Sequence, residues 1–106
     1  MDDWTDVAAV GDFPPGSVRT VDLDGTPVAV FNVDDRYLAI EDVCSHEYEL
    51  LSLGEVEGEQ VICPRHGARF SLVTGEALSA PACEPVSCFA VRIEAGMVQV
   101  RDDRWD

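Results

Sequence analysis

The chain has 106 residues, enough for one domain with a modest core and too few for two. Hydrophobic residues make up 46% of it, a globular share that excludes disorder, and no apolar run is long enough to cross a bilayer. The net charge of −14 excludes nucleic acid and anionic membranes as partners, and it favours a protein partner with a basic docking face.

Short runs rich in Val, Ile, Leu and Phe, separated by Gly, Pro and Asp, predict strands along the whole chain, and helix signals are nearly absent. In chain order, the predicted strands span residues 18–23, 27–33, 37–41, 60–63, 68–72, 86–94 and 97–101. Tight turns are predicted at residues 24–25, 34–35, 74–75 and 95–96. This pattern predicts an all-β fold, a small antiparallel sandwich or barrel.

The domain organisation follows from where the reactive side chains lie. Residues 1–106 are predicted to form one domain, with a basal part at about 1–42 and 83–106 and an inserted lobe at about 43–82. The N-terminal residues are acidic, whereas a secretory signal would be basic and then apolar. The protein is therefore expected to be cytoplasmic, where cysteines more often serve metals or redox chemistry than disulfides.

The chain has two histidines, and each one lies beside a cysteine. His46 follows Cys44 by two residues, and His66 follows Cys63 by three, so each pair offers one sulfur and one nitrogen from a tight loop. Two thiolates and two imidazoles fit either a tetrahedral zinc site or a 2Fe–2S cluster in which two His replace two Cys on one iron. A classical zinc finger pairs its cysteines together and its histidines together on a helix, and this chain does neither.

The spacing C-x-H, sixteen residues, C-x-x-H resembles that of the Rieske-type ferredoxins of bacterial aromatic-ring-hydroxylating dioxygenase systems. Flanking features are also similar: a glycine after the last ligand, an aromatic side chain soon after it, a Thr-Gly turn, and a proline-bearing loop that resembles the one covering the cluster in that family. These lie at Gly67, Phe70, Thr74-Gly75 and residues 79–82. The resemblance spans residues 25–100.

This resemblance implies a Rieske fold, with a barrel-like base, an inserted cluster-binding lobe, and one 2Fe–2S cluster per chain. It implies that Cys44 and Cys63 hold the inner iron and that His46 and His66 hold the outer, more exposed one. It also implies a monomeric one-electron carrier, not catalytic alone, between a flavin-containing NAD(P)H ferredoxin reductase and a terminal oxygenase. The oxygenase itself would need a further 2-His-1-carboxylate iron site, for which this chain has no histidine left.

Departures from the Rieske proteins of respiratory complexes predict a low reduction potential. Those proteins carry a disulfide between the two ligand loops, at positions that Glu49 and Arg65 occupy here. They also carry a serine and a tyrosine whose hydroxyls donate to cluster sulfurs, where this chain has Ala68 and Phe70. Fewer donors and more negative charge favour the oxidised cluster.

Two other functions remain open from the sequence. The same cluster could serve another redox system, such as the small subunit of an assimilatory nitrite reductase or a ferredoxin linked to cluster assembly, or the site could hold zinc in a binding module. Cys83 and Cys88 are predicted to be packing residues, and the aromatic side chains Trp4, Phe13 and Phe89 are predicted to lie in the core.

Overall fold

The computed structural model describes residues 4–43, 50–64, 67–79 and 85–104. Within these residues the chain forms nine strands and two single-turn 3-10 helices, and no α-helix. The strands are β1 Thr5–Ala9, β2 Val18–Leu23, β3 Thr26–Val33, β4 Arg36–Glu41, β5 Glu55–Glu57, β6 Gln60–Ile62, β7 Arg69–Ser71, β8 Cys88–Glu94 and β9 Met97–Arg101, and the 3-10 helices are Val10–Asp12 and Leu51–Leu53. No helix in this part of the chain is long and apolar enough to span a membrane.

Six strands form one antiparallel sheet in the order β1-β9-β8-β4-β3-β2. The two outermost strands, β1 and β2, also approach each other, so the sheet nearly closes into a barrel. Near-closure protects edge strands from pairing with other chains. The predicted all-β fold is therefore confirmed.

Two-residue turns connect the long hairpins of this sheet. Asp24 and Gly25 have φ values of +53° and +91°, and residues 34–35 and 95–96 likewise both have positive φ. Turns of this kind match the right-handed twist of the strands they join, and Asp and Gly tolerate positive φ better than most residues. Local chemistry favours the turns at residues 24–25 and 34–35, whereas at residues 95–96 only Gly96 has this preference, and the sequence predicted all three turns.

Strands β5, β6 and β7 form a second, smaller antiparallel sheet in the chain between β4 and β8. The sequence predicted β6 and β7 to within a residue at each end but missed β5, as it missed β1 in the barrel. Strand β5 reads Glu-Val-Glu and is exposed at every position, and its three residues are too few for an alternation of apolar and polar side chains to be recognised. Pairing with β6 makes it a strand.

Strand β3 is the wall that the barrel and the small sheet share. Val28 and Val30 face the barrel interior, with Val98 and Val100 of β9 among their cluster. The alternate residues of β3 join a second cluster that contains side chains of the small sheet. That second cluster comprises Ala29, Phe31, Ile40, Leu51, Val61, Cys63, Ala68, Phe70, Leu72 and Val86. The small sheet therefore packs on the outside of the barrel at β3, and β3 is buried on both faces.

The predicted aromatic core is correct for two of its three members. Phe13 and Phe89 are buried in the barrel cluster. Trp4 is only half-buried, on the outer face of the barrel, where the guanidinium groups of Arg92 and Arg101 lie 4.4 and 5.7 Å from its ring centre. Cation–π stacking on an exposed sheet face therefore takes the place of core burial for this tryptophan.

Candidate metal centre

Cys63 directly follows strand β6 and is 1% exposed. Its amide N–H donates to the carbonyl oxygen of Ala68 at 2.7 Å, and the Gly67 amide donates to the Cys63 carbonyl oxygen at 3.1 Å. Gly67 has a φ of +73°, a conformation that glycine adopts without strain. The chain thus reverses within a few residues after Cys63, as the Cys-x-x-His spacing predicts.

The other three predicted ligands, Cys44, His46 and His66, lie outside the described residues. The structure does show how the segments that flank the two loops meet. A Cβ atom placed on Gly54, just beyond the first loop, would lie 2.0 Å from the carbonyl oxygen of Ile62, the residue before Cys63. The backbone that leaves the first loop therefore abuts the backbone that enters the second.

The environment of Cys63 is apolar on its inner side and open on another. Among the described residues, Ala68 and Phe70 are fully buried in the same cluster as Cys63, so this side of the site is lined by hydrocarbon side chains. Cys63 also lines a cavity of about 350 Å³, whose other lining residues are Leu53, Gly54, Glu55, Ile62, Pro64 and Gly67. A thiolate in such a dry wall suits a sulfur-rich metal cluster better than a solvated ion, because a covalent, delocalised anion tolerates low polarity.

The proline-bearing segment at residues 79–82 is described only at Ser79. The Ser79 hydroxyl accepts a 3.0 Å hydrogen bond from the Arg69 amide, and the Leu78 amide donates to the Arg69 carbonyl oxygen at 2.7 Å. On the far side of that segment, the Val86 amide donates to the Gly75 carbonyl oxygen at 2.8 Å. The residues flanking this segment are therefore tied to β7 and to the turn that follows it.

The prediction for the remaining cysteines is wrong for Cys88 and stays a prediction for Cys83. Cys88 begins β8 and is exposed, with its sulfur 3.8 Å from the carbonyl oxygen of Thr74, so it does not pack in the core. It occupies a position of β8 whose side chain points away from the barrel cluster that holds its neighbour Phe89. Cys83 lies outside the described residues.

Sequence reasoning missed a buried carboxylate beside the first ligand loop. Asp42 is 3% exposed, and both of its oxygens accept hydrogen bonds from Ser52. The available signal was its position, an acidic residue between an apolar strand and a ligand loop. Asp is almost never fully buried unless its oxygens are hydrogen-bonded, so burial at this position implies a structural role.

Comparison with known proteins agrees with this reading of the site. The model of the Rieske [2Fe-2S] domain matches residues 3–90. The chain is 37% identical over 102 residues to ferredoxin CarAc of Metapseudomonas resinovorans, covering 95% of each. It is 38% identical over 98 residues to the biphenyl dioxygenase ferredoxin subunit of Pseudomonas sp. strain KKS102, covering 92% of this chain and 90% of that one.

Solved structures give the same result. The ferredoxin in a complex of reduced oxygenase and oxidized ferredoxin in carbazole 1,9a-dioxygenase aligns with a TM-score of 0.89 and 37% identity, covering 95% of this chain and 94% of that one. A putative NADH-dependent nitrite reductase small subunit from Mycobacterium tuberculosis aligns with a TM-score of 0.82 and 30% identity, covering 92% of each.

This chain belongs to the Rieske [2Fe-2S] domain family. It carries one Rieske 2Fe–2S cluster, and within the family it is a ferredoxin-type electron carrier and not an oxygenase. The resemblance drawn from the doubled Cys–His spacing is thus confirmed. The zinc alternative is disfavoured by the same findings.

Proposed function

We propose that this protein carries single electrons from a flavin-containing NAD(P)H ferredoxin reductase to the terminal oxygenase of an aromatic-ring-hydroxylating dioxygenase. The observation that carries the proposal is the buried Cys63 in its tight loop, in a chain that aligns over nearly its full length with ferredoxin components of such systems. When bound, the cluster accepts and returns one electron without a change in its ligands.

The four proposed ligands are Cys44, His46, Cys63 and His66. The burial of Cys63 supports assigning the two thiolates to the inner iron, because the apolar cluster on its inner side keeps water away from this ligand. We propose that His46 and His66 hold the outer iron, which would give electrons a short path to a docked partner. We further propose that residues 1–106 form one domain, with the cluster-binding lobe at about 43–82 between two basal segments.

Cluster content tests the ligand assignment. We expect about two irons and two acid-labile sulfides per purified chain, with visible absorption and a Rieske-type EPR signal in the reduced state. Cys63→Ser should lose the cluster and much of the fold, because ligation contributes to folding in so small a core. Cys88→Ser is the matched control, since Cys88 is an exposed thiol outside the ligand set, and it should keep full iron content. A colourless protein with one zinc would contradict the proposal.

Partner docking is proposed to be electrostatically steered. A net charge of −14 on a chain of this size produces a long-range field that favours encounter with a basic face and weakens with salt. Raising the ionic strength should therefore slow electron transfer to the oxygenase. Glu47→Lys, beside the first ligand loop, should slow it more than Asp103→Lys near the end of the chain. Electron-transfer rates that do not change with salt and are equal in both variants would show that the partner docks on another part of the surface.

A second function is supported by the structural likeness to a nitrite reductase small subunit. The chemically reduced protein separates the two, because it should be reoxidised by an aromatic-ring oxygenase with its substrate and not by an assimilatory nitrite reductase. We also propose that the protein is monomeric and cytoplasmic. Sedimentation equilibrium of the cluster-loaded protein tests the first, and cell fractionation tests the second.

A further inference from the structure

The first ligand loop begins and ends at a pair of residues that bind each other. The Asp42 Oδ1 atom accepts a 2.7 Å hydrogen bond from the Ser52 amide, and Oδ2 accepts a 2.8 Å bond from the Ser52 hydroxyl. The two residues lie ten positions apart, with Cys44 and His46 between them. Both carboxylate oxygens are thus used to close the base of the loop, where Asp42 is buried and Ser52 is half-buried.

Each end of this closure is also anchored to the body of the protein. The Asp42 amide donates to the carbonyl oxygen of Pro27 at 2.8 Å, which fixes it to strand β3. On the other side, Leu51 is fully buried in the apolar cluster that contains Cys63, and its carbonyl oxygen accepts a 2.9 Å bond from the Gly54 amide. The loop base therefore cannot slide relative to the barrel without breaking buried contacts.

Gly54 then sets how closely the first loop approaches the second. A Cβ atom there would lie 2.0 Å from the Ile62 carbonyl oxygen and 3.1 Å from its carbonyl carbon. Real Cβ atoms do not approach backbone atoms so closely, so any side chain would push this segment away from β6. Only glycine permits the observed distance between the segment leaving the first loop and the residue before Cys63.

We infer that Asp42, Ser52 and Gly54 are positioning residues that hold the first Cys–His loop at a fixed position relative to the second. None of the three is proposed as a ligand. Asp42 and Ser52 close the loop base, and Gly54 sets its distance from the strand that carries Cys63. The inference rests on the proposed ligand set. These three residues determine how firmly, and in what geometry, the ligands hold the cluster. A metal site of this kind requires its ligands to be placed to within about half an ångström.

Cluster release tests the closure of the loop base. We compare Asp42→Ala, Asp42→Asn and Ser52→Ala in the cluster-loaded protein, measuring iron transfer to a chelator from the decay of visible absorption, with far-UV circular dichroism as the check on folding. Loss of charge-assisted hydrogen bonds in a buried site should make release from Asp42→Ala about tenfold faster or more. Asp42→Asn keeps an acceptor for the Ser52 amide and should recover most of the wild-type rate.

Asp22→Ala is the matched control for these variants. The Asp22 carboxylate accepts a 2.6 Å bond from the Gly25 amide, but in an exposed hairpin of the barrel outside both ligand loops. Equal release rates for Asp42→Ala and Asp22→Ala, in protein that still holds the cluster, would overturn the inference and leave the proposed function intact. Should Asp42→Ala not fold, Ser52→Ala decides, because it removes only the hydroxyl and should still release iron faster than the control. A wild-type chain without iron would instead refute the proposed function.

The spectrum of the cluster tests the role of Gly54. Gly54→Ala must displace the Ile62 carbonyl, and with it the neighbouring Cys63, so we expect changed EPR g-values or visible circular dichroism even where iron content is retained. Gly11→Ala is the control, since no atom lies within 4 Å of a Cβ at that position. Spectra of Gly54→Ala that match those of Gly11→Ala would overturn this part of the inference.

Discussion

Gly75 is a second point at which two backbones touch, and its replacement by alanine has a predictable cost. Its φ is +80°, its amide donates to the Ser71 carbonyl oxygen at 2.9 Å, and its own carbonyl accepts the Val86 amide at 2.8 Å. A Cβ atom on Gly75 would lie 2.0 Å from the carbonyl oxygen of Val86. Because that oxygen belongs to the backbone, the chain leading into β8 must move.

Two separate costs apply to Gly75→Ala, and one control separates them. Placing an L-residue in the left-handed region costs about 1–2 kcal/mol. Forcing an extra carbon into a filled space adds about 1–3 kcal/mol. Gly96 has nearly the same φ, +78°, but nothing lies within 4 Å of its Cβ position, so Gly96→Ala should show the first cost alone.

Thermal unfolding of the two cluster-loaded variants measures the difference. One kcal/mol moves the Tm of a domain of this size by about 4–8 °C, so Gly75→Ala should melt roughly 10 °C below Gly96→Ala. Far-UV circular dichroism follows the fold, and visible absorption follows the cluster in the same scan. Equal Tm values for the two variants would show that the close approach of Gly75 to Val86 adds no cost to Gly75→Ala, and would refute the reasoning.

Three further predictions concern pH, potential and a buried amide. Arg104 hydrogen-bonds Asp102 and thereby lowers the pKa of that carboxyl below its ordinary 3.8. The stabilisation from this pair is therefore complete above pH 3.8 and is lost as pH falls through the lowered pKa. Urea melts of Asp102→Asn and of the wild type should accordingly converge in acid. In voltammetry, the reduction potential should lie near the low end of the Rieske range, roughly −150 mV. Ala68→Ser and Phe70→Tyr should each raise this potential by tens of millivolts, where about 59 mV is a tenfold change in the equilibrium constant of a one-electron reduction. A wild-type potential above zero would contradict the reasoning. Asn32→Ala should lower the free energy of unfolding, measured in denaturant, by about 1–3 kcal/mol. The reason is that the carbonyl oxygen of the buried Phe13 loses the 2.7 Å hydrogen bond that the Asn32 side-chain amide donates.

Features that depend on neighbouring residues could be predicted from the sequence. The turn at Asp24-Gly25 is one, because the preference of Asp and Gly for positive φ acts within a few residues and does not depend on the rest of the fold. Strands β2 and β9 were predicted to the residue for a similar reason, since their alternating side chains record which face is buried. The doubled Cys–His spacing belongs to the same class, because ligands two or three residues apart carry their geometry with them.

Contacts between distant parts of the chain had to come from the tertiary structure. Strand β1 is defined only by its pairing with β9, 88 to 95 positions away, and its own composition gives no strand pattern. Burial of β3 on both faces depends on the small sheet packing outside the barrel. The same holds for Asp42, whose sequence context does not show that Ser52 will satisfy both of its oxygens. By itself, the sequence determined the turns, most strands and the candidate ligands, because those follow from local conformational and chemical preferences. The tertiary structure decided the near-closure of the barrel and the hydrogen bonds at the base of the first ligand loop, because burial and close backbone approach depend on which distant segments meet.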